Sequence, residues 1–183
     1  MTAGKVVVNR SMSLDGYIAG PPDQPHSWPR MSRFVAKEDL ADIAAATGAM
    51  LIGRRTWDVG DSMEAAEPGS VDYPFSGPMF LLTHRELSPP DPDATILSGD
   101  IDAAVATALA AADGRNLEVL GTDVASQCLS RGLVDEVLVY VLPFLAGAGV
   151  PFASGVARVE LEPLSSQRSG ASTILRFRVR KNG

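Results

Sequence analysis

The stretch Ala49-Met-Leu-Ile-Gly-Arg-Arg-Thr-Trp57 constrains this chain more than any other. A short apolar run stops on a glycine, and two arginines and a threonine come directly after it. An apolar run of this length bounded by glycine predicts a buried strand of a parallel sheet. In open α/β sheets, ligands sit beyond the carboxyl ends of the strands. Gly53 lets the backbone turn tightly there, or lets a ligand come close. Arg54, Arg55 and Thr56 add two charges and a hydroxyl just past it. Arginine forks suit phosphate oxygens. The stretch therefore predicts a phosphate-bearing ligand at this strand end, against the simpler alternative of a solvated basic turn.

The rest of the chain supplies the partners such a strand needs. Val6 to Asn9 is β-branched and predicts a first buried strand. Asp15-Gly16 marks a turn, and the Pro-rich Gly20 to Arg30 segment predicts a surface loop. Phe34, Val35, Leu40, Ile43 and Ala44 give a partial apolar face to a helix from about Ser32 to Ala46, closed by Thr47-Gly48. Asp58 to Gly77 is low in apolar residues and reads as mostly loop. Met79 to Thr83 is the next strand, Pro89-Pro90-Asp-Pro92 a rigid loop, and Thr95 to Leu97 a short strand. Asp100 or Gly99 can cap an Ala-rich helix from Ile101 to Ala112, which Asp113-Gly114 closes. Leu117 to Gly121 is again a strand ending in glycine. A helix then runs to Arg131, with Val124, Ala125, Cys128 and Leu129 inward, and after it a strand from Val134 to Leu142. Arg158 to Leu164 and Thr173 to Val179 read as an antiparallel pair. In the second of these, Leu175, Phe177 and Val179 alternate with Arg176, Arg178 and Arg180, which predicts one buried and one wet face. Strands alternating with helices imply a single α/β domain over residues 1–183, with a mostly parallel sheet between helical layers.

Charge and metal chemistry narrow the function classes. A net charge of −6 argues against a broad nucleic-acid surface. One cysteine allows neither a disulfide nor a Cys-based metal cluster, and two histidines far apart show no ligand spacing. No run approaches the roughly 20 apolar residues of a membrane helix, and the opening residues lack a signal-peptide layout. The expectation is a soluble cytoplasmic protein without metal, membrane or nucleic-acid partner.

Three predicted strands end in groups suited to phosphate. They are Gly53-Arg54-Arg55-Thr56, Thr83-His84-Arg85, and Gly121-Thr122 opening a helix, where free N–H groups and the helix dipole favour an anion. Together they would make a cleft of dinucleotide size. Gly121-Thr122 would take the pyrophosphate, and the basic pairs the further phosphate of an NADP-type cofactor. Gly-x-Gly-x-x-Gly is absent, so this is not the usual Rossmann fingerprint.

Ser13-Leu-Asp-Gly-Tyr-Ile-Ala19, Ile52-Gly-Arg-Arg-Thr-Trp57, Leu120-Gly121, and Gly132 to Glu136 with Pro143 to Gly147 stand in the order of the dihydrofolate reductase fold. The chain most resembles the branch that holds the reductase domain of the riboflavin-pathway deaminase-reductase and its stand-alone relatives. That resemblance implies a three-layer α/β/α domain with antiparallel C-terminal strands. It also implies NADPH, a homodimer, and hydride transfer to a small heterocyclic or carbonyl substrate. The substrate would resemble a pterin, a folate or 5-amino-6-(5-phosphoribosylamino)uracil.

Carried over by position, the resemblance puts Arg54, Arg55 and Thr56 on cofactor phosphates and Thr83, His84 and Arg85 near the 2′-phosphate. Gly121, Thr122, Val124 and Ala125 would form the helix start that cradles the pyrophosphate. Leu14, Asp15 and Gly16 would lie in a loop beside the nicotinamide, with Asp15 a candidate for catalysis. Thr122 stands where the family usually has a second glycine. For the helix carboxylate that assists protonation in dihydrofolate reductases, Glu38, Asp39 and Asp42 are candidates, and spacing to Gly53 best fits Asp39. The rival function is a non-catalytic NADP(H)-binding or regulatory protein on the same fold.

Overall fold

A computed structural model of the chain describes residues 4–21, 23–24, 27–69, 73–85 and 91–181. Pro89, Pro90 and part of the Pro-rich segment before Arg30 lie outside the described residues. Along the chain run β1 (Val6–Ser13), β2 (Tyr17–Ala19), α1 (Lys37–Ala46), β3 (Thr47–Gly53), α2 (Arg54–Ala66), β4 (Met79–Leu82) and β5 (Ala94–Leu97). Next come α3 (Ile101–Ala111), β6 (Asn116–Leu120), α4 (Thr122–Ser130), β7 (Glu136–Leu142), β8 (Val150–Pro151), β9 (Leu161–Ser169) and β10 (Ser172–Val179).

Among the described residues, eight strands form one sheet in the order β5-β4-β3-β6-β1-β7-β10-β9. The strands from β5 to β7 pair in parallel, and β10 runs antiparallel to both β7 and β9. Every residue of β3 is buried, as expected of a parallel strand covered on both sides. One face packs against α3 and α4, through Val8, Leu51, Leu117, Ala108 and Cys128. The other lies under α1, where Val7, Leu40, Leu138 and Tyr140 meet. This is the α/β/α architecture with antiparallel C-terminal strands that the sequence predicts.

Three local expectations change. The first half of Asp58 to Gly77 is helix and not loop: α2 runs from Arg54 to Ala66 and buries none of its residues. A helix without a buried stripe leaves no 3.6-residue apolar period in the sequence, and Gly60 weakens the pattern further. Residues near Ser32 form a short 3-10 turn, Met31–Arg33, and α1 starts only at Lys37. The arginine stripe of β10 is not uniformly wet. Arg176 turns under the α1 side and donates Nε–H to the buried Glu136 carboxylate at 2.6 Å, while Arg178 pairs with Glu162 in the open.

Candidate functional site

Parallel pairing brings the carboxyl ends of β1, β3, β4, β6 and β7 to one edge of the sheet. Two helices start there side by side. Gly53 precedes α2 and Gly121 precedes α4, and neither helix has a side-chain cap. The first amides of both are therefore not taken up by a capping side chain. Gly121 sits at φ 102°, a conformation that side-chain-bearing residues rarely adopt. A Cβ at Gly121 would come within 2.9 Å of the Thr56 hydroxyl and 3.4 Å of the Gly53 nitrogen. A Cβ at Gly53 would meet Val124 at 2.9 Å. The two glycines let these strand ends close together.

The charged residues frame this point. Arg54 donates Nε–H to Asp58 at 2.7 Å along the helix, which fixes its guanidinium beside the start of α2. Arg55 is exposed and lies 3.6 Å from Asp123 on α4, spanning the two helix starts. Thr56 is exposed against Gly121. At the end of β4, Thr83 is buried and its hydroxyl accepts the Arg85 N–H at 3.1 Å. That bond shapes the turn and leaves His84 and Arg85 exposed beyond it.

The other predicted residues divide. Thr122 donates its hydroxyl to the Pro151 carbonyl at 3.1 Å, so it ties α4 to β8. Val124 and Ala125 point into the core at 4% and 1% exposure, and the Ala125 amide already donates to Gly121. Their side chains pack under the helix start and present no ligand group. Leu14 is 67% exposed, and Gly16 closes a turn onto Ser13.

Asp15 holds a rim together. Its carboxylate accepts from the Ser13 hydroxyl at 2.6 Å and from the amides of Ala146 and Gly147 at 2.9 and 2.8 Å. Those bonds, the serine hydroxyl first, draw its pKa down to about 2. A carboxyl ionised over the whole working range is no proton donor, so Asp15 positions the loop. Because the folded state holds the lowered pKa, its stabilisation is present above the usual carboxylate range and fades as pH falls toward 2. Asp15→Asn should therefore flatten the acid limb of a stability–pH profile without changing the neutral plateau's dependence on pH. Urea melts at stepped pH check this, and an unchanged acid limb would refute it.

Asp39 is not with this group. It lies on α1, on the face away from α4, and accepts a long 3.4 Å bond from Gln167 of β9. On the same face of the sheet, the structure assembles an aromatic group. Trp28 donates Nε1–H to the Ser11 hydroxyl at 3.1 Å and packs edge-on against Phe144 at 5.3 Å, and the Phe34 ring lies tilted 6.1 Å from Phe144. This aromatic wall closes the α1 side of the β1 and β7 ends.

Arg10 is a second residue that strand patterning passes over. It falls in step with the inward-facing Val6 and Val8, is 6% exposed, and donates Nη1–H to the carbonyls of Asn9 and Val119 at 2.7 and 2.8 Å. Its Nε and Nη2 have no partner. Burial draws its pKa down to about 10, which leaves it a cation. The signal in the sequence is a lone charge inside a valine strand. Among the described residues no group of histidine, cysteine and carboxylates could hold a metal, and no helix is long and apolar enough to cross a membrane.

Sheet order, crossover pattern and paired glycine helix starts define a dihydrofolate reductase-like α/β domain with two glycine-led helix starts side by side at its strand ends. The RibD C-terminal domain model matches residues 4–175, and the chain belongs to that family. No curated protein matches the chain in sequence.

Among solved structures, a protein assigned to riboflavin biosynthesis from Shewanella sp. PV-4 superposes with a TM-score of 0.76 at 23% identity, covering 97% of this chain and 99% of that one. Acinetobacter baumannii RibD gives 0.70 at 15% identity, over 98% of this chain, which spans only 59% of that longer protein. A pyrimidine reductase-like protein of Corynebacterium diphtheriae gives 0.64 at 12% identity, over 98% and 93% of the two chains. At these identities the likeness is one of fold.

Proposed function

We propose that the protein is an NADPH-dependent reductase acting on a small heterocyclic or carbonyl compound, in the manner of the pyrimidine reductases of riboflavin biosynthesis. The observation that carries this is the close approach of Gly53 and Gly121, which sets two uncapped helix starts side by side with Arg54 and Arg55 around them. Two helix starts without side-chain caps and two guanidinium groups suit a pyrophosphate and a further phosphate. Membership of the RibD C-terminal domain family supports the reductase reading.

The residues present fit the cofactor: a Cβ at Gly121 would fill the space between the two helix starts. Gly121 and Thr122 would hold the pyrophosphate, and Arg54, Arg55 and Thr56 together with Thr83, His84 and Arg85 the 2′-phosphate, with Leu14 to Gly16 beside the ring. Bound there, NADPH supplies a hydride. The chain's own part is to orient and enclose. Asp15 ties the loop after β1 to Ala146 and Gly147, and the Trp28–Phe144 wall excludes water from the acceptor's side.

Thermal melts with saturating NADPH, then NADPH absorbance with pterin, pyrimidine and quinone-like acceptors, test this reading. Stabilisation with turnover of one acceptor class is expected. Stabilisation without turnover favours the non-catalytic NADP(H)-binding alternative, to which the absence of a poised acid at Asp15 lends weight. No stabilisation overturns both. Arg54→Ala with Arg55→Ala should weaken NADPH about tenfold or more, as expected for loss of charge-assisted bonds, and NADH far less. Equal losses for the two cofactors would remove these arginines from the 2′-phosphate.

A further inference from the structure

β1 and β6 pair in parallel only as far as Val8 and Val119, while β1 continues beside β7 to Ser13. Beyond that point β6 parts from β1 and runs through Leu120 to Gly121 and the start of α4. Arg10 bridges the parting. Its Nη1–H groups reach the Val119 carbonyl at 2.8 Å and the Asn9 carbonyl at 2.7 Å. Consecutive Cα atoms are about 3.8 Å apart, so Gly121 lies within about 8 Å of Val119. The guanidinium is thereby held close to the helix start that would take the pyrophosphate.

Little around this cation cancels its charge. Nη1 goes to two backbone carbonyls, and Nε and Nη2 are enclosed without a partner. The carboxyl whose charge acts on it is that of Glu118, 2% exposed on β6. Glu118 Oε1 accepts the Thr47 and Tyr73 hydroxyls at 2.6 and 2.8 Å, and Oε2 has no partner. Burial holds that carboxyl above its usual range, so its anionic form is the disfavoured one. Arg10 itself stays a cation. Unmatched donors on a buried charge cost stability, and an apolar side chain in step with Val6 and Val8 would avoid that cost. Bridging two carbonyls needs a donor but no charge.

We propose that Arg10 is a positioning residue for the anion, an enclosed cation that draws pyrophosphate onto the Gly121–Thr122 helix start through space without touching it. The proposal rests on the reading of that helix start as the pyrophosphate site. Water is excluded around Arg10, so its field is screened less than that of a surface charge. It adds to the positive end of the α4 dipole. Arg54 and Arg55, by contrast, stand beside the counter-charges of Asp58 and Asp123.

Calorimetric titration of the full chain with inorganic pyrophosphate, beside urea melts, tests it. Arg10→Gln keeps an amide donor for the Val119 carbonyl and removes the charge, whereas Arg10→Met removes both. Arg10→Gln should therefore be the more stable of the two, yet both should weaken pyrophosphate binding about tenfold, as loss of one charge at this range implies. Arg115→Gln makes the same change in net charge at an exposed position where β6 begins. It should stay within about twofold of the parent, because solvent screens it. Where Arg10→Met fails to fold, Arg10→Gln decides alone. Parental affinity in Arg10→Gln would overturn the proposal and leave the pyrophosphate site standing, as would an equal loss in Arg115→Gln. No saturable binding by the parent chain would overturn the site itself, and the proposal with it.

Discussion

Gly121→Val should abolish saturable NADPH binding and destabilise the fold by about 2 kcal/mol. Two effects act together. At φ 102° a β-branched residue is strained wherever its side chain points. Its Cβ would also come within 2.9 Å of the Thr56 hydroxyl, so the start of α2 must shift away from the start of α4. The amides that would take the pyrophosphate then no longer converge. Urea melts measure the first effect and a fluorescence titration with NADPH the second. Thr56→Ala in the same chain removes the crowding but leaves the backbone strain, so it should recover only part of the lost stability. Full NADPH affinity in Gly121→Val would sever this position from the cofactor.

Leu51→Ala should cost about 3 kcal/mol and lower Tm by roughly 10 °C. Leu51 is fully buried at the centre of β3, paired with Phe80 on one side and Val119 on the other, and it packs in the cluster beneath α3 and α4. With neighbours fixed in strands on both sides, the cavity cannot collapse. Leu14→Ala is the matched control. At 67% exposure it should stay within about 0.5 kcal/mol of the parent. A Leu51→Ala chain as stable as the Leu14→Ala chain would mean that this strand is not the centre of the core.

Ala49 to Trp57 carries both outcomes, and most of its meaning was legible as sequence. A short apolar run ending in glycine predicts a strand covered on both faces, and β3 is that strand. The groups at Gly53, Thr83 and Gly121 were legible for the same reason, since strand ends in a parallel sheet share an edge. The segment after Gly53 was less legible. Arg54 to Ala66 has no apolar period, because α2 buries none of its residues, so a helix was hidden in a stretch that reads as loop.

Local pattern also says which residue types are present but not which groups they meet. Asp15 reads as a turn or a catalytic acid, and becomes a rim anchor only because Ala146 and Gly147 arrive from more than 130 positions away. Arg10 and Glu118 interrupt apolar strands visibly, yet their unmatched atoms exist only once neighbouring strands and helices enclose them.

The sequence by itself determined the α/β layering, the central parallel strands and the three strand ends suited to phosphate. Those features arise from hydrophobic period and glycine placement, which act over a few residues. Only the tertiary structure decided that Gly121 leans on Thr56, that Asp39 lies away from the strand-end group, and that one Glu118 oxygen is enclosed without a partner. Each of these depends on strand register and on contacts between distant segments, and a local pattern contains neither.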